Sequence, residues 1–380
     1  MGRLRVAVVT LCVLLARVQS LKLADPCNEA TCKLPECKCS GTDSNSKIPI
    51  DKIPQIVLLT FDDAVNYLTY DYFQDALFDL KNPDGCPIGV THFLSHEYTD
   101  YTKVHDLWKR GHEIALHSVS HSAVYNYWRN IDVKTFSSEF GDMRKIVNYF
   151  AKIPSSELRG VRLPFLQTSG NVSFQAMKEL GLLYDSSLPS IHFVNPPLWP
   201  YSLDYQSIQD CVIEPCPTAS FPGVWEIPMT VWEDQNNIPC SMVDSCLNIP
   251  ETGSGVAQWM IQQFEKYYKG SRAPFPVFMH ASWFSKNEEY FKAYKLFIKH
   301  LQSLPDVYLV NMNKAIEWIK NPKPLTAAKP FGNCEVRKPE APCPTPLSCG
   351  YYNQGSEIWM TSCASKCPAN FPWLGNPLGN

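Results

Sequence analysis

The sequence predicts an α/β protein, with a parallel sheet curled into a closed or nearly closed (β/α) barrel. Three observations point there. Short apolar runs alternate with helical patterns across residues 53–320, the signature of parallel strands joined by crossover helices. The runs are apolar throughout, as suits strands covered on both faces. The residues best suited to chemistry fall just after those runs, where a parallel barrel gathers its reactive side chains.

The elements follow in order along the chain. Residues 55–61 form a buried strand and 70–80 a helix. Residues 88–94 are a strand, 104–110 a helix closed by Gly111, and 113–117 a strand. Residues 132–150 carry apolar side chains at helical spacing, with Asp132 as N-cap. A strand at 160–166 precedes a helix at 171–180, which Gly181 ends. Asn171 suits its N-cap. Another strand begins at 182–185. Residues 190–250 break the rhythm with prolines, aromatics and cysteines. Helix 256–269, strand 277–280, helix 288–301, strand 307–310 and helix 314–319 complete the core.

Both ends look stapled rather than packed. Residues 1–20 read as a secretory signal peptide: two early arginines, an apolar run from Val6 to Ala16, and a small-residue cleavage site after Ser20. That run is too short to span a membrane, and no later stretch is long enough. Of 15 cysteines, Cys12 lies in the signal. The even remainder in a secreted chain implies seven disulfides, whose pairing spacing does not reveal. Four crowd residues 21–52, a Cys-rich extension, and five fall in a Pro/Cys-rich segment at 321–380. The formal net charge is −3 with no Lys/Arg-rich block, which excludes a partner held by phosphate contacts. A monomer acting on neither nucleic acid nor membrane is expected.

Four strand ends carry suggestive residues. Adjacent carboxylates, Asp62 and Asp63, follow the first strand. Buried acids are costly unless a metal or a guanidinium compensates them. His117 and His121 are four apart, so one turn can aim both rings at one ion. A carboxylate from another strand would complete three protein ligands and leave a fourth position for water, the pattern of a catalytic zinc. Asp63 can be that ligand while Asp62 acts as base and Arg162 holds it ionised. His280 can donate a proton to a leaving group. His112-Glu113 with His117 mimics the H-E-x-x-H protease signature but has one residue too many. Each pattern alone is equally at home as a hydrated turn, a helix cap or a satisfied core histidine.

Taken together, T-F-D-D at 60–63, H-S-x-x-H at 117–121, R-x-P-F at 162–165 and the late His280 are a specific ordered set. It resembles the polysaccharide deacetylase family, carbohydrate esterase family 4, with its NodB-like distorted (β/α) barrel, over residues 53–320. The resemblance implies a metal triad of Asp63, His117 and His121, with one zinc ion. It implies Asp62 as base, Arg162 as its tether, the Phe165 N–H as oxyanion donor and His280 as acid. It also places Asp185 as the carboxylate that tunes His280, and Trp225 as the floor under the acetyl methyl. More narrowly, the flanks of these motifs are similar to insect chitin deacetylases of the gut-type group without a chitin-binding domain, linked to the peritrophic matrix. The implied activity is secreted N-deacetylation of chitin or chitooligosaccharides. The alternative is a chitin-associated binding or matrix protein with little turnover. Trp199, Tyr201, Tyr205, Phe221, Trp225 and Trp232 are expected to wall the substrate cleft, and Asn171-Val172-Ser173 is an N-glycosylation sequon.

Overall fold

A computed structural model of the chain describes residues 22–334, 337, 339, 341–343, 345–353 and 356–380; the expected signal at 1–20 lies outside the described residues. Nine strands make one sheet: β1 (Gln55–Asp62), β2 (Thr91–Leu94), β3 (Glu113–Leu116), β4 (Gly160–Val161), β5 (Tyr184–Asp185), β6 (Tyr201–Ser202), β7 (Trp225–Glu226), β8 (Phe275–His280) and β9 (Val307–Leu309). The order runs β8-β1-β2-β3-β4-β5-β7-β6, with β9 beside the first half of β1. All neighbours are parallel except β6, which runs antiparallel to β7. The hydrogen-bonded path does not return on itself, so the barrel is distorted. Residues 229–233 bridge the opening: the Trp232 indole N–H donates to the Pro276 carbonyl at 2.8 Å, and its ring stacks on Phe275.

Every residue of β1 is buried, as its unbroken apolar run requires. The flanking helices are α1 (Tyr67–Leu77), α2 (Tyr101–Lys109), α3 (Asp142–Ala151), α4 (Asn171–Glu179), α5 (Gly253–Tyr268), α6 (Glu288–Gln302) and α7 (Met312–Lys320). Among the described residues no helix is long and apolar enough to cross a membrane. Asp132 caps its helix as expected, accepting from Thr135 N at 2.7 Å. The helical stretch at 132–150 is interrupted by a π-helical segment, Ser137–Gly141. The strand expected over 160–166 stops at Val161, because Pro164 has no N–H to donate and opens a 3-10 turn instead. Gly170, not Asn171, caps α4. Asn171 turns its carbonyl oxygen to the N–H groups of Thr218 and Ala219.

Among the described residues seven disulfides form. Cys86, isolated in the core sequence, pairs with Cys334 across 248 residues. The hairpin β10 (Leu347–Asn353) and β11 (Ser356–Ser362) lies against α2, and Cys363 N donates to the Phe150 carbonyl. The expected aromatic wall is not there. Trp199, Tyr201, Phe221, Trp225 and Trp232 are buried in the main core; Trp199 stacks on Trp318, and Tyr205 packs on the N-terminal cysteines. Burial inside the fold leaves the first five little area to face a cleft, and Tyr205, half-buried, lines a cavity that holds none of the candidate site residues.

Candidate active site

The site lies where β1, β3 and β8 end. Asp62 and His280 stand directly opposite each other in the parallel register. Asp63 leaves the strand in the left-handed region, φ 80°, and its N–H donates to the Phe93 carbonyl. That reversal separates two adjacent carboxylates: Asp62 is buried while Asp63 is half exposed.

The histidine turn is built from two more left-handed residues, Ser118 (φ 80°) and His121 (φ 40°). A non-glycine residue there is strained and persists only when its surroundings hold it. Glu139, fully buried in the π-helical segment, supplies the hold. Its carboxylate accepts from Val119 N (3.1 Å), Ser120 N (2.9 Å), the Ser120 hydroxyl (2.5 Å) and the Tyr127 hydroxyl (2.7 Å). π-Helical turns recur beside functional sites. His117 Nδ1 lies 2.7 Å from the Arg162 carbonyl, which directs Nε2 toward the acids. Burial pushes the His117 pKa down to about 4, so the ring is neutral, the form that binds metal.

Asp63 Oδ1 is 3.3 Å from His121 Nε2 and 3.8 Å from His117 Nε2. All three donor atoms lie within 4.8 Å of one another. One carboxylate and two imidazoles suit a catalytic zinc or a similar divalent ion, with an open position.

Arg162 is wholly buried, its guanidinium between the rings of Phe93 and Phe278. It donates to Asp62 Oδ1 at 2.6 Å, to the Thr60 hydroxyl, and to the carbonyl and hydroxyl of Ser186. Burial works against charge on Asp62, but Arg162, then His117 and His280, outweigh it and hold the carboxyl below its ordinary range. Phe165, φ 56°, stands 48% exposed with its ring 6.0 Å from that of His121.

Two expected roles change. His280 Nδ1 lies 2.8 Å from Asp244 Oδ2, and its backbone N–H donates to the other oxygen. The carboxylate partner of His280 is therefore Asp244, not Asp185. Asp185 is consumed by the N–H and hydroxyl of Ser187, whose oxygen in turn accepts from Leu163 N. It shapes the Arg162 loop instead. Trp225 is fully buried, and Lys320 of α7 lies over its ring. The first N–H groups of α7 bond Thr91 and Glu113, where β2 and β3 begin. Trp225 is thus covered at the end of the barrel away from the site and forms no floor for an acetyl group.

Burial presses the His280 pKa down, but the bond to Asp244 and the charges of Asp244, Asp62 and Asp63 raise it to about 9. Asp62 and His280 therefore hold opposite protonation states at neutral pH, an arrangement suited to general acid–base chemistry. Asp244 and Glu139 have no motif in the sequence, and Ser186 and Ser187 are marked only by following Asp185 directly. For Asp244 the one available signal is its enclosure between Cys240 and Cys246, which pair.

No protein-family model matches the chain. Chitin deacetylase 8 of Bombyx mori is 43% identical over 384 residues, spanning all of both chains. The chain belongs to the chitin deacetylase family, among the polysaccharide deacetylases. A second family member, chitin deacetylase 1 of Bombyx mori, is 37% identical over 94% of this chain and 69% of its own. Among solved structures, a family 4 carbohydrate esterase from Streptomyces lividans is similar at 13% identity, covering 68% of this chain and 99% of that one, TM-score 0.36. A Bacillus subtilis peptidoglycan deacetylase is similar at 15% identity over 72% and 94%, TM-score 0.37.

Proposed function

We propose that this chain is a secreted, zinc-dependent hydrolase that removes N-acetyl groups from chitin or chitooligosaccharides. The observation that carries the reading is the donor set of Asp63, His117 and His121 beside a buried Asp62–Arg162 pair and the Asp244–His280 pair. Asp63, His117 and His121 would hold a divalent ion, which would supply an acidified water and polarise the acetyl carbonyl. Asp62, kept ionised by Arg162, takes the proton of the attacking water. The Phe165 N–H offers a hydrogen bond to the negative oxygen that develops. His280, kept protonated by Asp244, gives its proton to the departing sugar nitrogen. The products are acetate and a glucosamine unit. Secretion accords with seven disulfides, which persist in oxidising compartments.

The test is acetate release from N-acetylglucosamine oligomers, with added zinc, with chelator, and with Asp62→Asn. The reading expects release that needs both zinc and Asp62. Zinc bound and chitin retained, with no acetate released from any oligomer, would assign the chain the matrix-binding role instead.

A further inference from the structure

The terminal hairpin has two unlike faces. β10 and β11 pair residue by residue from Leu347–Ser362 to Asn353–Ser356. Cys349, Ile358, Met360 and Ser362 are buried against the protein. Strand alternation turns Gly350, Tyr352, Trp359 and Thr361 outward. Trp359 is 59% exposed and Tyr352 76%. Two large aromatics on the open face of a two-stranded hairpin bury little within the fold, and such clusters mark contact surfaces.

Gly350 stands directly opposite Trp359. A Cβ placed there would meet Cη2, Cζ3 and Cζ2 of the indole at 2.9, 3.0 and 3.1 Å. Near-equal distances to three atoms of the six-membered ring mean that the ring lies flat over the glycine. One indole face covers backbone and the other looks outward. On the same side of the hairpin the hydroxyls of Ser348 and Thr361 are 2.9 Å apart. A flat aromatic with a second aromatic and hydroxyls beside it complements a pyranose ring, which has an apolar C–H face and hydroxyls at its edge. Two disulfides, Cys343–Cys363 and Cys349–Cys367, fix the platform.

The platform is also joined to the site. Thr361, two residues from Trp359, forms a β-bridge with Asp100. Tyr98, two residues before Asp100 and exposed, lines the cavity of about 320 Å³ that holds Asp62, Asp63 and His280. We infer that the Trp359–Tyr352 face is a second carbohydrate-binding surface, which takes a β-linked N-acetylglucosamine chain whose neighbouring stretch enters the site. It rests on the polysaccharide reading above and adds where a long chain is held. A short oligomer fills the site without reaching the platform.

The full chain and its Trp359→Ala, Trp359→Phe and Tyr352→Ala variants would be compared by co-sedimentation with insoluble chitin. Acetate release would be followed from colloidal chitin and from short oligomers. Trp359→Ala is expected to bind chitin about tenfold more weakly, with acetate release from colloidal chitin falling in step. Release from short oligomers and the melting temperature stay at the wild-type values, and Trp359→Phe recovers most of the binding. Undiminished sedimentation of both alanine variants overturns the inference and leaves the deacetylase reading standing. Trp359-dependent binding without acetate release from any substrate supports the platform and overturns the hydrolase reading alone. A concentration-dependent doubling of mass that Trp359→Ala abolishes gives the face to a second copy and overturns the inference.

Discussion

His280 Nδ1 and Asp244 Oδ2 are 2.8 Å apart, in a contact that joins β8 to a loop closed by the Cys240–Cys246 bridge. The pairing raises the His280 pKa to about 9, so the imidazolium is lost only as pH rises through that value. Asp244→Asn removes the charge and keeps the shape. The basic limb of the kcat/KM profile is expected to move down toward the ordinary histidine value of about 6.5. At pH 8 the rate falls about tenfold or more. An unmoved limb would show that another group is the acid.

Glu139 bonds to none of the three candidate metal donors yet holds the turn between His117 and His121. Glu139→Gln loses an anionic acceptor for two N–H groups and two hydroxyls, and the strained Ser118 and His121 are released. Zinc affinity, read by competition with a chromogenic chelator, is expected to drop about 10- to 100-fold. Turnover at saturating zinc is largely kept, which separates positioning from chemistry.

Arg162 and Asp62 form an ion pair with both side chains out of water. Arg162→Ala leaves a buried carboxylate unpartnered, at a cost of about 3–5 kcal/mol in urea unfolding. Adding Asp62→Asn removes the orphaned charge and is expected to recover part of that loss. Arg162→Lys is no substitute, because a point charge cannot serve Asp62, Thr60 and Ser186 together. Activity is lost in all three variants.

Asp185 and Glu226 face each other across β5 and β7, both buried. Burial raises the Asp185 pKa to about 6. Burial and the Asp185 charge push Glu226 well above its usual range. Acids with raised folded pKa values bind protons in the native state that the unfolded chain has released. The stability they add is full below about pH 4 and declines as pH rises through 6 and beyond. Denaturant midpoints between pH 5 and 8 are expected to fall with pH in the wild type. The slope flattens in Glu226→Gln; equal slopes would count against a carboxyl pair.

The parts of this molecule legible in its sequence are those written in contiguous residues. Thr60–Asp63, His117–His121 and Arg162 sit at the ends of short apolar runs, so motif and strand are read together. Asp244 is not legible in that way, because it reaches His280 from 36 residues upstream on a loop folded back by a disulfide. Asp185 lies at a strand end like the candidate site residues, but Ser187 two residues later captures its carboxylate. The aromatics of 190–250 show why composition misleads: tryptophan suits a sugar cleft and a protein core equally, and only packing separates them. The alternating faces of the terminal hairpin are local, yet its exposed side is visible only once the buried side has a body to lie on.

The Cys86–Cys334 bridge ties the second strand's approach to the start of the tail. A protease that nicks any loop between those two positions leaves two fragments still joined through sulfur. The clipped molecule would migrate intact on a non-reducing gel and fall into two bands only after reductant. Backbone continuity over most of the catalytic body is therefore not what keeps its halves together.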